Sequence, residues 1–242
     1  MALLILENVS KRFGGLVAVD GVSFAVRPGE IVGLIGPNGA GKTTLFNLIS
    51  GIYRPDAGRI IFKGQRIDGL PPHLVCRLGL GRTFQLVQPF SDLTTLQNVM
   101  VGAFNQVRSE AEAARVAWDI LVRVGLAEKA DRPAAWLTLA DRKRLEVARA
   151  LATGPELLLL DEVLAGLTPR EVEEALGLLR RVRDAGVTLL VIEHVMRAVM
   201  TLCDRVVVLH HGQKIAEGSP AEVASSPRVI EAYLGEEGAD VA

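Results

Sequence analysis

Short apolar runs separated by polar turns fill the first and last thirds of the chain. The first third has strand-like runs at residues 3–9, 22–26, 31–35 and 59–62. The last third alternates strand-like and helical patterns, at residues 157–160, 169–185, 188–192, 195–202 and 205–209. Strands that alternate with helices along a sequence are typical of parallel βα units. The pattern therefore predicts an α/β core.

The middle of the chain has almost no strand pattern. Residues 110–124 are rich in Ala, Glu, Arg and Leu, and residues 139–151 place apolar side chains at helical spacing, so both segments are predicted helices. We therefore expect a helical subdomain over residues 86–154. It interrupts a core with a β subdomain, formed by residues 1–85 and 155–242, and the whole chain is expected to be a single domain.

A glycine-rich segment lies between an apolar run and a helical pattern, at residues 36–44. It reads Gly-Pro-Asn-Gly-Ala-Gly-Lys-Thr-Thr, and a strand, such a loop and a helix in this order form a phosphate-binding loop. The glycines let successive backbone N–H groups turn toward a phosphate, and the helix N-terminus adds the positive end of its dipole. A glycine-rich turn before an ordinary helix is the alternative. The segment predicts nucleoside triphosphate binding by Gly36, Pro37, Asn38, Gly39, Ala40, Gly41, Lys42, Thr43 and Thr44.

Polar side chains in this loop and at a later strand end have predicted roles. We expect Lys42 to reach the β- and γ-phosphates and the Thr43 hydroxyl to bind Mg²⁺. The apolar run at residues 157–160 ends in Asp161 and Glu162. At the C-terminal end of a buried strand, Asp161 is placed to hold Mg²⁺ and Glu162 to polarise an attacking water as general base. The alternative is a pair of acids that simply meets solvent at a strand end.

At two further polar positions, the residue alone does not indicate a function. His194 follows a predicted strand, where a lone histidine is more often structural than catalytic. Gln85 lies where the core meets the helical subdomain, and it is equally an ordinary loop residue.

Composition excludes several classes of protein. The 242 residues carry a formal net charge of −1, which gives no electrostatic footprint for nucleic acid, and we expect no nucleic-acid partner. No apolar run approaches the ~20 residues that span a bilayer, and the N-terminus reads as a strand instead of a signal peptide. Cys76 and Cys203 are isolated, which fits a reducing compartment. These features predict a cytoplasmic α/β protein.

The order of these motifs, over nearly the whole chain, resembles that of the ATP-binding cassette (ABC) ATPases. The resemblance implies an α/β fold with a P-loop NTPase (RecA-like) core, an N-terminal antiparallel β subdomain and an inserted helical subdomain. It also implies ATP and Mg²⁺ as cofactors. Phe13 looks like the aromatic residue that stacks on adenine, and residues 165–168 look like the D-loop.

The same resemblance assigns roles near the γ-phosphate. Gln85 looks like the Q-loop glutamine that touches the metal and the attacking water, and His194 like the switch histidine that contacts the γ-phosphate. Asp161 and Glu162 match the Walker B aspartate and the catalytic glutamate. The implied catalytic residues are Glu162, His194 and Gln85. The implied Mg²⁺ ligands are Thr43, Gln85 and Asp161.

Several segments resemble one branch of the family, the ATPase subunits of branched-chain amino-acid importers. They lie at residues 36–48, 69–73, 82–85, 144–151, 192–196 and 232–236. The lipopolysaccharide-export ATPase is the nearest alternative. The resemblance implies a second ABC ATPase subunit, in a homodimer or heterodimer, transmembrane permease subunits and, indirectly, a substrate-binding protein. It places the chain in the cytoplasm, on the inner face of the cell membrane. The transported substrate is inferred by analogy alone.

The signature helix departs from the family pattern Leu-Ser-Gly-Gly-Gln. The matching residues are Leu137, Thr138, Leu139, Ala140 and Asp141, of which the last four are the predicted contacts to the partner's ATP. Thr138 keeps a hydroxyl that suits both a helix cap and a phosphate, and Asp141 is placed to complete a box-like cap. Glycine is favoured where a backbone approaches a phosphate closely, which puts Ala140 in question. The alternative is that alanine is tolerated after a small backbone shift.

A further departure follows the catalytic glutamate, where Val163 replaces the usual proline of the family. In the family each ATP lies between one subunit's P-loop and the other subunit's signature helix. Because Ala140 stands beside an otherwise complete catalytic set, we hypothesise an asymmetric heterodimer with one slower site. Glycine at position 140 should then raise turnover of the reconstituted complex, and unchanged ATPase activity would contradict the hypothesis.

Two other functions compete with transport. A soluble cassette ATPase acting on DNA or ribosomes usually carries two cassettes or a long insertion, and this chain has neither. A nucleotide-binding regulator without turnover does not need the complete catalytic set. For a transport ATPase, the surface that contacts the membrane partner is expected near residues 85–98, with Gln88, Phe90 and Leu93 as candidates.

Overall fold

The computed structural model describes residues 1–84 and 88–237. Its strands are β1 (Leu4–Phe13), β2 (Leu16–Val26), β3 (Ile31–Ile35), β4 (Ala57–Phe62), β5 (Gln65–Arg66), β6 (Leu80–Arg82), β7 (Leu157–Asp161), β8 (Thr188–Ile192), β9 (Arg205–His210) and β10 (Gln213–Gly218). Its helices are α1 (Lys42–Ile49), α2 (Pro72–Arg77), α3 (Thr95–Ala103), α4 (Glu110–Val124), α5 (Leu139–Leu151), α6 (Pro169–Asp184), α7 (Met196–Leu202), α8 (Pro220–Ala224) and α9 (Pro227–Glu237). The chain forms two compact units, one from Met1–Val75 with Thr188–Ala242 and the other from Cys76–Val187.

The first unit contains an antiparallel sheet in the order β2-β1-β4-β5. Leu4 of β1 lies opposite Val26 of β2 on one side and Phe62 of β4 on the other. Leu4 and Leu6 are buried, because alternate residues of a strand point to the same face of the sheet. Val9 is also buried, after a register shift between Leu6 and Val9 that changes the alternation. This sheet is the N-terminal antiparallel β subdomain.

The first unit also contains a mixed sheet, in which four strands follow the order β10-β9-β3-β8. β3 is parallel to both β8 and β9, whereas β10 is antiparallel to β9. Every residue of β3 and β8 is buried, which explains why both strands read as continuous apolar runs. The carboxyl end of β3 leads directly into the glycine-rich loop and α1. The central strand therefore positions the phosphate-binding loop.

The second unit combines a parallel strand pair with helices. β6 pairs with β7 in parallel, and helices α3, α4 and α5 pack against one another. Thr94, Ser109, Thr138 and Thr168 begin α3, α4, α5 and α6, and each hydroxyl accepts a hydrogen bond from a first-turn N–H group. These caps satisfy donors that a helix leaves open at its start.

The elements predicted from strong periodicity are present. The helices at 110–124 and 139–151 and the strands at 31–35 and 188–192 have the predicted bounds. The pattern did not reveal the short strand β6, helix α3 or the polar edge strand β10. The helical subdomain boundary at 86–154 stays a prediction.

The helices of residues 1–84 and 88–237 include none that is long and apolar enough to cross a bilayer. Helix α6 has 16 residues and carries charged side chains over most of its surface. A membrane-spanning helix needs ~20 mainly apolar residues.

Candidate functional site

The phosphate-binding loop is held in shape by glycines that no other residue can replace without strain. Gly36, Gly39 and Gly41 have φ angles of +149°, +76° and +99°. A Cβ atom on Gly36 would lie 2.1 Å from the carbonyl oxygen of Leu209, and one on Gly41 would lie 2.3 Å from that of Ala18. The loop thus packs by direct backbone contact against β9 and β2. At Gly36 and Gly41, glycine is required both by conformation and by close approach.

Helix α1 begins differently from the capped helices of the second unit. Its N-cap is Gly41, which provides no side-chain acceptor. The first turn of α1 therefore has no side-chain cap, and the helix dipole adds positive potential there, which favours an anion. Thr43, in this first turn, is exposed. The start of α1 can bind a phosphate with backbone N–H groups and a hydroxyl.

Lys42 supplies the positive charge of the loop. Its side chain is buried, and its ammonium donates hydrogen bonds to the carbonyl oxygens of Gly36 and Pro37 at 2.6 and 2.7 Å. Both acceptors belong to the loop itself. The turn therefore holds the ammonium within reach of any anion that binds to the loop N–H groups.

The turn between β9 and β10 supports the phosphate-binding loop, a role that no sequence motif indicates. Gly212 donates its N–H to the carbonyl of Ala40 at 3.1 Å and accepts a hydrogen bond from the N–H of Asp20 at 2.9 Å. The Gln213 side chain donates to the Asp20 carboxylate at 2.7 Å. Such contacts between segments distant in the sequence become visible only in three dimensions.

Phe13, the predicted adenine-stacking residue, lies at the end of β1 with its ring 42% exposed. Tyr53 packs against it edge to face, with ring centroids 5.2 Å apart. The ammonium of Lys11 lies 5.6 Å from the Phe13 ring centroid. Tyr53 was not predicted as part of the site, because no motif contains it. An exposed aromatic ring, fixed by a neighbour, is suited to stacking on a flat base.

Asp161 lies at the carboxyl end of β7, and its side chain is almost completely buried. Arg82 approaches its carboxylate at 3.3 Å, and the Asp161 N–H donates to the hydroxyl of Thr83 at 3.1 Å. Burial lowers the pKa of Arg82, and the charge of Asp161 opposes that shift. The segment 82–84 therefore holds the strand end that carries the predicted metal ligand. Gln85, which follows it, lies outside the described residues.

Glu162 is half-buried and has an unusual backbone conformation. Its φ is +51°, a left-handed value that costs a non-glycine residue roughly 1–2 kcal/mol. Its carbonyl accepts hydrogen bonds from the Lys143 ammonium at 2.8 Å and from the Ala165 N–H at 3.3 Å. Backbone strain at a site must be maintained by its surroundings. Lys143 was not identified from the sequence.

The signature helix is capped as predicted, although the contact of Asp141 differs from the expected box. Thr138 is the N-cap, and its hydroxyl accepts from the Asp141 N–H at 3.2 Å. The Asp141 carboxylate accepts from the same hydroxyl at 2.9 Å and from Lys129 at 2.5 Å. A capping box would join that carboxylate to the Thr138 N–H. The shorter aspartate side chain instead accepts a hydrogen bond from the Thr138 hydroxyl, which is a predicted phosphate contact.

The two side chains that replace signature glycines differ in exposure. Ala140 is 8% exposed and lines a small cavity with Val147 and Leu167. Leu139 is 49% exposed, and its terminal methyl group lies 3.1 Å from where a Cβ of Gly166 would be. Gly166, in the predicted D-loop, has φ +77°. The exposed apolar side chain of the signature is therefore that of Leu139.

Asp141 makes the stability of the second unit dependent on pH. Burial raises its pKa, but hydrogen bonds from Lys129 and Thr138 outweigh burial and leave the pKa below its ordinary value. This contribution to stability is therefore present above the ordinary aspartate pKa and is lost as pH falls through the lowered one. We expect Asp141→Asn to reduce the unfolding free energy at pH 7 by about 1–2 kcal/mol. Denaturant unfolding at several pH values checks this, and a constant difference down to the most acid pH would contradict it.

Glu146 and Arg149 on α5 form a further charged cluster that sequence patterns did not reveal. Burial raises the pKa of Glu146, although its carboxylate pairs with Arg149 at 3.1 Å and accepts backbone hydrogen bonds from Gln88 and Phe84. Arg149 also lies 4.9 Å from the ring centroid of Phe90. Helix α5 is thus hydrogen-bonded to Phe84 and Gln88, the residues on either side of segment 85–87.

His194 follows β8 in the first unit and is exposed. Glu193, just before it, is buried. The first unit therefore contains Phe13, the phosphate-binding loop and His194, whereas the second contains Asp161, Glu162 and the signature residues.

Comparisons with known proteins identify the family. A profile described as "ABC transporter" matches residues 19–165. The chain belongs to the ABC transporter family, among its ATP-binding subunits. A second profile, described as "Branched-chain amino acid ATP-binding cassette transporter", matches residues 213–239 of this ABC ATPase.

Curated ABC proteins resemble this chain over their full length. The "High-affinity branched-chain amino acid transport ATP-binding protein LivG" of Escherichia coli (strain K12) is 42% identical over 97% of this chain and 98% of its own. The corresponding protein BraF of Pseudomonas aeruginosa is 41% identical over the same shares. The similarity therefore includes the motifs of both units.

Solved structures confirm the predicted ABC ATPase fold. The ADP conformation of an ATP-binding cassette of an ABC transporter is 34% identical, with a TM-score of 0.89 over 97% of this chain and 99% of that one. A dimeric ATP-binding cassette in a post-hydrolysis state, bound to ADP and Pi, is 25% identical, with a TM-score of 0.81 over 90% of this chain and 98% of that one. The chain therefore has the fold of ATPases of this family, which bind ATP or ADP.

Proposed function

We propose that this chain is the ATP-hydrolysing subunit of an importer for branched-chain amino acids. The observation that carries the proposal is the full-length similarity to LivG and BraF, whose names state branched-chain amino acid transport. The profile match at residues 213–239 supports the same substrate class. A phosphate-binding loop built on Gly36 and Gly41, with Lys42 inside it, supports ATP as the energy source.

ATP binding uses the phosphate-binding loop and an aromatic platform. The N–H groups of the loop and of the first turn of α1 hold the β- and γ-phosphates. The Lys42 ammonium moves its hydrogen bonds from the loop carbonyls to phosphate oxygens. Phe13 stacks on the adenine, and Tyr53 holds the Phe13 ring in position.

The side chains present fit a magnesium ion. Mg²⁺ prefers oxygen ligands and is held in P-loop enzymes by a hydroxyl, a carboxylate and phosphates. The exposed hydroxyl of Thr43 and the carboxylate of Asp161, which pairs with Arg82, are ligands of this kind. Gln85 adds an amide oxygen by resemblance. Bound Mg²⁺ neutralises charge that develops on the phosphates.

Hydrolysis needs a base for the attacking water. The Glu162 carboxylate accepts a proton from water as the water oxygen bonds to the γ-phosphorus and the bond to the ADP oxygen breaks. Gln85 orients the water, and His194 contacts the γ-phosphate. The products are ADP and inorganic phosphate.

The partners are a second ABC ATPase subunit, identical or different, permease subunits and, through them, a substrate-binding protein. Thr138, Leu139, Ala140 and Asp141 face the ATP of the partner ATPase. Phe90, which is 46% exposed, docks on the permease at the inner face of the membrane. Asn98, which is buried, holds the main chain of Phe90 in place. Its side chain accepts a hydrogen bond from the Phe90 N–H at 2.9 Å and donates one to the Phe90 carbonyl at 3.0 Å.

Reconstitution tests the proposed function. The chain is coexpressed with permease subunits and a second ATPase subunit of a branched-chain amino-acid importer, and the purified complex is placed in proteoliposomes with a binding protein. We expect leucine, isoleucine or valine to stimulate ATP hydrolysis and to accumulate with ATP. Failure to copurify with membrane subunits would contradict a transport role, and stimulation by lipopolysaccharide in place of amino acids would favour export.

A further inference from the structure

Lys143 is a buried lysine whose ammonium meets the main chain of the catalytic glutamate. It lies on α5 and is 8% exposed. Its Nζ donates a hydrogen bond to the carbonyl oxygen of Glu162 at 2.8 Å. Burying a lysine is costly unless its charge is hydrogen-bonded or paired. The chain thus places a desolvated cation directly behind the predicted general base.

Glu162 needs such a support, because its backbone is in the left-handed region at φ +51°. A non-glycine residue stays in that region only where its surroundings hold it there. The next residue, Val163, is buried and lines the same small cavity as Lys143. The Ala165 N–H makes a longer hydrogen bond to the same carbonyl, at 3.3 Å. The shorter, charge-assisted hydrogen bond is therefore the stronger restraint.

We propose that Lys143 is a positioning residue for ATP hydrolysis, which fixes the main chain of Glu162 and so aims its carboxylate at the attacking water. The proposal rests on the general-base role of Glu162 proposed above. Lys143 acts through the carbonyl of Glu162, to which its ammonium donates. Reaction rates depend steeply on such alignment, since a displacement of about 1 Å can cost 10²-fold.

Steady-state kinetics of the reconstituted transporter test the proposal with Lys143→Met, which keeps the aliphatic stem. We expect kcat to fall roughly 10- to 100-fold and KM for ATP to change less than about twofold, because ATP contacts remain. Lys143→Arg restores a cationic donor and should recover most of kcat. Arg142→Met is the matched control, since this neighbouring cation also donates to a carbonyl, that of Ala135 at 2.6 Å. Its kcat should stay at the wild-type level.

A double-variant comparison separates positioning from folding. In a Glu162→Gln background, Lys143→Met should cause no further loss of kcat, because the base it positions is gone. A purely structural role would instead lower kcat and the melting temperature in both backgrounds. Wild-type kcat in Lys143→Met, or equal losses in both backgrounds, would overturn the proposal.

The same set of variants distinguishes this inference from the proposed function. If Glu162→Gln abolishes turnover while Lys143→Met keeps it, only the positioning role fails. If Glu162→Gln retains turnover, the general-base assignment and the positioning role fail together. Should Lys143→Met not fold, Lys143→Gln retains a donor of smaller reach and takes its place in both comparisons.

Discussion

Glu162→Gln should lower kcat for ATP hydrolysis by the transporter roughly 10²- to 10⁴-fold, the range typical for loss of a general base. Glutamine has the same size as glutamate but cannot accept the proton of the attacking water. ATP binding should persist, because the phosphate-binding loop and Phe13 are unchanged. Single-turnover hydrolysis and equilibrium binding of ATP, measured on the same complex, check the two parts of this prediction.

A surface glutamate gives the matched control for this substitution. Glu174 on α6 pairs with Arg144 at 2.5 Å and with Arg170 at 3.2 Å. Glu174→Gln should leave kcat unchanged. Equal hydrolysis rates in wild type and Glu162→Gln would remove Glu162 from its proposed role, whatever the control shows.

The second large effect is expected from Gly41→Ala in the phosphate-binding loop. Gly41 has φ +99°, and an added Cβ would lie 2.3 Å from the carbonyl oxygen of Ala18. The left-handed backbone costs alanine about 1–2 kcal/mol, and the overpacked contact adds about 1–3 kcal/mol. The variant should therefore melt at a clearly lower temperature and lose ATP binding, which thermal unfolding and nucleotide titration measure.

Gly186 offers a control with nearly the same backbone conformation. Its φ is +97°, and an added Cβ would meet nothing within 4 Å. Gly186→Ala should show only the conformational cost and bind ATP normally. If both variants lose the same stability, the contact with Ala18 contributes nothing, and the close packing of the loop against β2 is not what requires glycine.

The signature segment shows the altered motif in the sequence, but only the structure shows which of its side chains are exposed. The sequence shows the altered motif and puts Ala140 in question, because glycine there permits close approach to a phosphate. In the structure Ala140 is buried, whereas Leu139 is exposed and fills the space that a Cβ on Gly166 of the predicted D-loop would enter. Which side chain of a helix faces solvent depends on the packing of that helix, which a motif does not contain.

The fold was predictable wherever a strong local pattern exists. Helix α4 and the buried strands β3 and β8 follow from periodicity and continuous apolar runs, since local spacing decides which face is buried. Helix α3, strand β6 and the edge strand β10 lack such a pattern. β10 is largely polar and is paired only through β9, so its existence depends on a partner strand.

At the site, the local sequence was enough to predict the chemistry of the phosphate-binding loop and of the acids at the end of β7. It was also enough to predict the family. A glycine loop between a strand and a helix specifies its own backbone N–H groups, because these are contiguous in the chain. The supporting contacts are not contiguous. Gly212 behind the loop, Tyr53 beside Phe13 and Lys143 beneath Glu162 come together only when distant segments pack. The folded chain alone decides these contacts, since the two partners of a long-range hydrogen bond or ring contact are far apart in the sequence.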